Sequence, residues 1–239
     1  MRRFYKQADA DACEGGFVLT LDGKPVRTPA GTAMALSPLA LVAAIAGEWE
    51  AQEEEIVPHA MPLTNLASLA LDYVGPEREA VVAEMLNYAT TDLLCYRVAT
   101  PETLARRQAE AWQPLLDWAA ERFQAPLVVT TELDAIEQPA AALVALKAAI
   151  SDLDDLRLTA LRSLTAMCSS LILGLALVEE RIDGATAWTL SQLDEDFQIE
   201  KWGEDADAAA RRHALRENMM AVERFLALAA SRPPAPPTL

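Results

Sequence analysis

Residues 156–182 have the length and composition of a helix, but they lack the usual division into an apolar and a polar face. Apolar side chains occur on every side of the middle turns, which is typical of a helix buried in a core or spanning a membrane. The longest run without a charge, residues 163–178, is shorter than the roughly 20 apolar residues that a bilayer requires. We therefore expect a buried central helix and no insertion into a membrane.

The pattern before residue 76 favours a small unit that contains both strands and helices. Residues 17–21, FVLTL, are rich in β-forming side chains. Asp22-Gly23 is a strong hairpin signal and leads into a second short strand. Ser37-Pro38 then predicts a helix start, with serine as N-cap and proline at the first helical position. Apolar positions at helical spacing follow over residues 64–74.

Amphipathic helices are predicted over most of the remaining chain. They cover residues 77–88, the stretch from Pro101 to residue 119 that Pro114 should bend or divide, and residues 138–150, 185–197 and 206–230. The predicted fold class is therefore α+β. A small β-containing domain (1–76) precedes a larger all-helical domain (77–232), bundle-like with crossed helices around the central helix. Residues 233–239 are rich in proline and are expected to form a disordered tail.

The acidic composition narrows the range of partners. The formal net charge is −16, which opposes binding to nucleic acid and to anionic membranes and suits a partner with a basic surface. General acidity of soluble bacterial proteins explains the charge equally well. Cys13, Cys95 and Cys168 are far apart and read as reduced thiols of a cytosolic protein. The first residues resemble neither a signal peptide nor a transit peptide, so a cytoplasmic location is expected.

Sequence signatures of catalysis are missing from the chain. It has no Gly-rich phosphate loop, no GxSxG elbow and no HExxH, and its two histidines, His59 and His213, are isolated. No metal site and no cofactor are expected. One enzymatic alternative stays open, in which carboxylates such as Glu48 and Asp92 act on a small molecule in a cleft between the domains.

One acidic segment differs from the other charge runs of the chain. Residues 193–207 place acids among Phe197, Ile199 and Trp202, next to a glycine. Large aromatic side chains set among charges suit a surface that recognises a partner. The alternative is that Phe197 and Trp202 belong to the core and only the acids point outward.

Five motifs stand out along the chain: LDGKPVRTP (21–29), EWEAQ (48–52), MPLT (61–64), TDLLCYR (91–97) and DEDFQ (194–198) with Trp202-Gly203. They resemble motifs of the ATP synthase assembly factor two family, whose members are chaperones of the alpha subunit of the catalytic head of the F-type ATP synthase. Each motif alone is weak, but their order and spacing together are specific and cover nearly the whole chain. The family has mitochondrial and alpha-proteobacterial members, and the absence of a transit peptide favours a bacterial one.

This resemblance implies a non-enzymatic chaperone that binds the free alpha subunit until a beta subunit replaces it. It also implies a small β-containing domain followed by a helical one, and we expect a monomer. Several family members depend on the acidic segment near the DEDFQ motif, which points to Glu195 with Asp194 and Asp196 as neighbours. The full set of residues expected to bind the partner is Asp194, Glu195, Asp196, Phe197, Glu200, Trp202 and, from the EWEAQ motif, Trp49.

Overall fold

The computed structural model describes residues 1–132 and 134–230, which form two compact units. The first unit comprises Met1–Glu77, Asp155–Thr159 and residues 224–230. The second comprises Arg78–Asp154 and Ala160–Glu223. The domains expected from the sequence, 1–76 and 77–232, stay a prediction, and the expected disordered tail, 233–239, lies outside the described residues. The α+β fold class is confirmed, since an antiparallel sheet near the N-terminus precedes a predominantly helical chain.

The sheet of the first unit is built around its second strand. Its strands are β1 (Ala8–Cys13), β2 (Gly16–Leu21), β3 (Lys24–Pro25) and β4 (Ala35–Leu36). β2 pairs antiparallel with each of the other three strands. The predicted hairpin is confirmed, with Asp22 and Gly23 at φ values of 49° and 75° in its turn. The hydrophobic pattern does not mark β1, because its alternating alanine and aspartate are poor β-formers.

Two helices accompany this sheet in the first unit. They are α1 (Leu39–Glu50) and α2 (Pro62–Leu69), the latter followed by a π-helical turn over Ala70–Val74. The predicted cap of α1 is wrong by one residue. Pro38 occupies the N-cap position and no side chain caps the helix there, because the proline ring carries no hydrogen-bond acceptor. Leu41, Val42 and Ile45 bury the inner face of α1.

The remaining helices belong wholly or mainly to the second unit. They are α3 (Arg78–Thr90), α4 (Glu102–Phe123), α5 (Ala140–Ser151), α6 (Asp155–Cys168), α7 (Leu171–Val178), α8 (Gly184–Ser191), α9 (Leu193–Trp202) and α10 (Ala206–Ala229). Pro114 lies inside α4 without dividing it. Trp112 is the largest fully buried side chain of α4. In the described part of the chain, no helix combines the length and apolar character needed to cross a membrane.

The prediction of one continuous central helix over residues 156–182 is wrong. Ser169 adopts a left-handed φ of 51° and separates α6 from α7. Ser170 is extended, and its hydroxyl accepts a 3.0 Å hydrogen bond from the Leu173 amide as the N-cap of α7. The serines therefore end one helix and begin another. Burial of the apolar stretch is confirmed for α7, all of whose residues are buried.

The prediction of one helix over residues 185–197 is also wrong, since α8 and α9 are separated at Gln192. The indole of Trp112 donates a 3.0 Å hydrogen bond to the carbonyl of Leu190. In a continuous helix this carbonyl would accept from the amide four residues later. A buried tryptophan on α4 therefore supports the break that gives α9 its own direction.

Candidate partner-binding surface

The inner side of α9 is attached to α4 by one aromatic and two polar contacts. Phe197 is only 6% exposed. The side-chain amide nitrogen of Gln108 donates a 2.7 Å hydrogen bond to the Asp194 carboxylate. Arg107 donates to both carboxylate oxygens of Glu200 at 2.8 and 2.9 Å, and its guanidinium carbon lies 5.4 Å from the centroid of the Phe197 ring. Asp194 and Glu200 therefore hold α9 in place within the protein.

A second attachment of α9 comes from Arg212 on α10. Its guanidinium donates to Asp196 in the first turn of α9 and lies 3.3 Å from Glu204, just beyond the helix end. It also lies 5.6 Å from the centroid of the Trp188 ring. This side chain is only 19% exposed, so its ion pairs are shielded from water more than typical surface pairs are.

The outer side of α9 carries an exposed stripe formed by Glu195, Gln198, Ile199 and Trp202, which we call the α9 face. These residues stand at positions i, i+3, i+4 and i+7, the spacing of one side of a helix. Trp202 is 79% exposed, and Ile199 is half-buried. Within the residues that the structure describes, the side chain of Glu195 is exposed and forms no hydrogen bond or ion pair. An exposed tryptophan on the same helix face as an unpaired carboxylate offers a partner both apolar surface and charge.

The structure separates the predicted site residues into three groups. Asp194, Asp196, Phe197 and Glu200 contact other residues of the second unit, whereas Glu195 and Trp202 face solvent. The alternative prediction placed both Phe197 and Trp202 in the core. The structure supports it for Phe197 only, because Trp202 is exposed. Trp49 lies in the first unit, half-buried, with its ring centroid 5.7 Å from that of Tyr5. The Tyr5 hydroxyl donates a 2.6 Å hydrogen bond to the Trp49 carbonyl.

Comparison with known proteins gives the family of this chain. The model of a family described as "ATP12 chaperone protein" matches residues 2–120. The crystal structure of Atp12 from Paracoccus denitrificans is 44% identical, with a TM-score of 0.90 over 95% of this chain and 98% of that chain. The chain belongs to the ATP12 chaperone family. The resemblance found in its sequence motifs is thereby confirmed, and the function is that of a chaperone in ATP synthase assembly.

Other relatives of this ATP12 family member come from bacteria and from a fungus. A candidate chaperone from Agrobacterium tumefaciens is 37% identical, with a TM-score of 0.90 over 95% of this chain and 85% of that chain. The mitochondrial protein atp12 of Schizosaccharomyces pombe is 27% identical over 225 residues, 87% of this chain and 75% of that protein. The two bacterial species are alpha-proteobacteria, the group expected from the motifs.

Both carboxylates of the enzymatic alternative serve as helix caps in this ATP12-family chain. Glu48 accepts from the amides of Leu63 and Thr64, each at 2.8 Å, at the start of α2. Asp92 is fully buried and accepts from the Ser170 hydroxyl at 2.7 Å and from the Ile172 amide at 3.0 Å at the start of α7. These contacts use the carboxylate oxygens that a substrate would otherwise meet. Among the described residues, no group of three or more potential metal ligands occurs.

Two of the three cysteines are free thiols of the core. Cys95 and Cys168 are buried and free, and burial raises the pKa of each thiol to about 12. A thiol with so high a pKa is unreactive at neutral pH, because the thiolate is the nucleophile. Cys13 is also free but half-buried.

The residues that the sequence analysis missed are those that orient α9 in this ATP12 family member. Arg107, Gln108 and Arg212 are far from α9 in sequence, so no local pattern connects them with it. Gln198 on the α9 face could have been found, because it stands three residues after Glu195 and four before Trp202.

Proposed function

We propose that this chaperone binds the free alpha subunit of the F-type ATP synthase and holds it until a beta subunit takes its place. It acts as a monomer in the cytoplasm and catalyses no reaction. The free alpha subunit exposes the apolar surface of its future interfaces, which is an aggregation hazard. The observation that carries this proposal is the α9 face, where Glu195 and Trp202 both remain available to a partner.

Each predicted site residue has a distinct role in this proposal. Glu195 and Trp202 contact the client, and Trp49 adds a contact from the first unit. Asp194, Asp196, Phe197 and Glu200 act indirectly, because their contacts with α4 and α10 fix the orientation of α9. The net charge of −16 favours a client surface with basic groups at this place.

Reversal of the charge at Glu195 tests the proposal. In Glu195→Lys, repulsion from a basic group of the alpha subunit replaces attraction, a change that can reach several kcal/mol. The Glu195 side chain is exposed and unpaired among the described residues. The folding free energy of the variant should therefore stay within about 0.5 kcal/mol of that of wild type. We expect the variant to keep its melting temperature, to lose capture of purified alpha subunit, and to let alpha aggregate in a light-scattering assay.

Glu121→Lys is the matched control. Glu121 is an exposed acid at the end of α4, and the substitution makes the same change in net charge. It should capture alpha as wild type does. Raised salt should weaken the wild-type complex only in part, because apolar burial is not screened as charge is. Normal folding and full capture by Glu195→Lys would show that the acidic segment is not the binding site. Failure of the wild type to capture alpha would refute the proposal that the alpha subunit is the client.

A further inference from the structure

The most exposed aromatic side chain in the described part of the chain stands at the last residue of α9. Trp202 is 79% exposed, whereas the other four tryptophans are buried or half-buried. Ile199, on the preceding turn, lies on the same side of the helix and is half-buried. The indole thus extends an apolar surface from the body of the second unit into solvent.

The position of Trp202 is fixed from both sides. Before it, Glu200 is held by Arg107, and after it, Glu204 is paired with Arg212. The Gly203 amide closes the last turn through a 2.8 Å hydrogen bond to the Ile199 carbonyl, and Gly203 then takes a φ of 80° that leads the chain away. A side chain presented by a fixed backbone loses less conformational freedom on binding than one on a flexible loop.

Resting on the proposed function, we infer that Trp202 is the anchor of the client contact. The indole, with Ile199 beside it, fills an apolar pocket on the alpha subunit. Glu195 meets a cationic side chain at the rim of that pocket. Glu195 and Trp202 are seven positions apart, so the cation lies about 10 Å from the centre of the pocket along the helix axis. The client surface that binds the α9 face is therefore an apolar pocket bordered on one side by lysine or arginine.

Fluorescence gives a direct test of this anchor with the full-length chain and purified alpha subunit. The emission of wild type should shift to shorter wavelength on binding, because the indole leaves water. Trp202→Phe should lose this shift while it keeps part of the affinity, since phenylalanine retains much of the apolar area. Trp202→Ala should bind at least ten-fold more weakly. Val144→Ala, which trims an exposed apolar residue of α5, is the matched control and should bind as wild type does.

The salt dependence of binding distinguishes the charge pair of Glu195 from the apolar contact of Trp202. The residual binding of Trp202→Ala should keep the salt dependence of wild type, because the charge pair is intact. Glu195→Gln should bind with a smaller salt dependence and an unchanged wavelength shift. Wild-type affinity in Trp202→Ala, together with lost capture by Glu195→Lys, would overturn the anchor and leave the proposed client standing. Self-association of wild type that Trp202→Ala abolishes, with alpha capture unchanged, would assign the pocket to a second copy and also overturn it.

Discussion

Ser170 donates a 2.7 Å hydrogen bond to Asp92, a residue 78 positions earlier, and the two side chains together begin two helical segments. Ser170 caps α7 through the Leu173 amide, and Asp92 also accepts from the Ile172 amide there. The same carboxylate accepts a 3.1 Å hydrogen bond from the Leu94 amide, where a short 3₁₀ turn begins. One buried pair therefore connects the TDLLCYR motif to the most apolar helix of the second unit.

Removal of this carboxylate should destabilise the protein strongly. Asp92→Ala leaves the Ser170 hydroxyl and two buried amides without their acceptor, and each such loss costs about 1–3 kcal/mol. We expect the free energy of unfolding in urea to fall by about 3–5 kcal/mol in total. Asp92→Asn keeps one carbonyl acceptor and should lose less. A loss below about 1 kcal/mol in Asp92→Ala would contradict the assigned role.

The same carboxyl group should make stability depend on pH. Burial raises the pKa of Asp92 to about 6, against hydrogen bonds from Ile172, Ser170 and Leu94 that lower it. Because the folded-state pKa lies above the unfolded value of about 4, the folded state binds the proton more tightly. The stability that this proton contributes is complete below about pH 4 and is lost as pH rises through 6.

Urea unfolding of wild type and Asp92→Asn between pH 4 and pH 8 measures this effect. The stability difference between the two proteins should move in favour of wild type as pH falls from 7 to 4. Other carboxyl groups titrate in both proteins and cancel in the difference. A difference that stays constant over the whole range would mean that the folded-state pKa of Asp92 is not raised.

Loss of Arg212 should impair the chaperone although this side chain does not belong to the α9 face. Arg212→Met keeps an unbranched aliphatic side chain but removes the guanidinium, which lies over Trp188 and pairs with Asp196 and Glu204. We expect weaker capture of the alpha subunit and faster protease cleavage near Gly203, with a stability loss of about 1–2 kcal/mol.

Arg106→Met provides the matched control for this variant. The Arg106–Glu110 pair is 3.9 Å long and mostly exposed, so its loss should change neither capture nor cleavage. Equal behaviour of the two variants would show that Arg212 does not position α9.

Replacement of large side chains of α7 by alanine tests whether this helix forms the core. Leu171 and Leu173 are both fully buried, and replacement of either by alanine should destabilise the protein by about 2–5 kcal/mol, through lost burial and the cavity left behind. Thermal unfolding measures the effect. Unchanged melting curves for both variants would show that α7 contributes little to the core.

Local sequence signals predicted the parts of the fold that depend on neighbouring residues. The hairpin at Asp22-Gly23 follows from the left-handed conformations that these two residue types accept. The buried character of α7 follows from an unbroken run of apolar side chains. In both cases the cause lies within a few residues of the effect, so periodicity and composition were sufficient.

Features that depend on distant residues were beyond the reach of the sequence pattern. The break before α7 relies on Ser170 paired with Asp92, and the break before α9 involves Trp112 on another helix. The same holds for the candidate site. The periodicity of α9 places Glu195 and Trp202 on one side of the helix. Only the tertiary contacts reveal that Arg107 pairs with Glu200 and Arg212 with Asp196.

Because α7 is buried, hydrogen exchange of its amides can serve as an internal reference for the free energy of unfolding. All of its residues are buried in the folded state, none of its leucines, isoleucine or valine being more than 5% exposed, so its amide hydrogens should exchange only when the second unit unfolds as a whole. Amides of α9, with an exposed face, should exchange through smaller local openings. A single deuterium-labelling experiment can therefore report the unfolding free energy from α7 and client protection from α9 in the same sample.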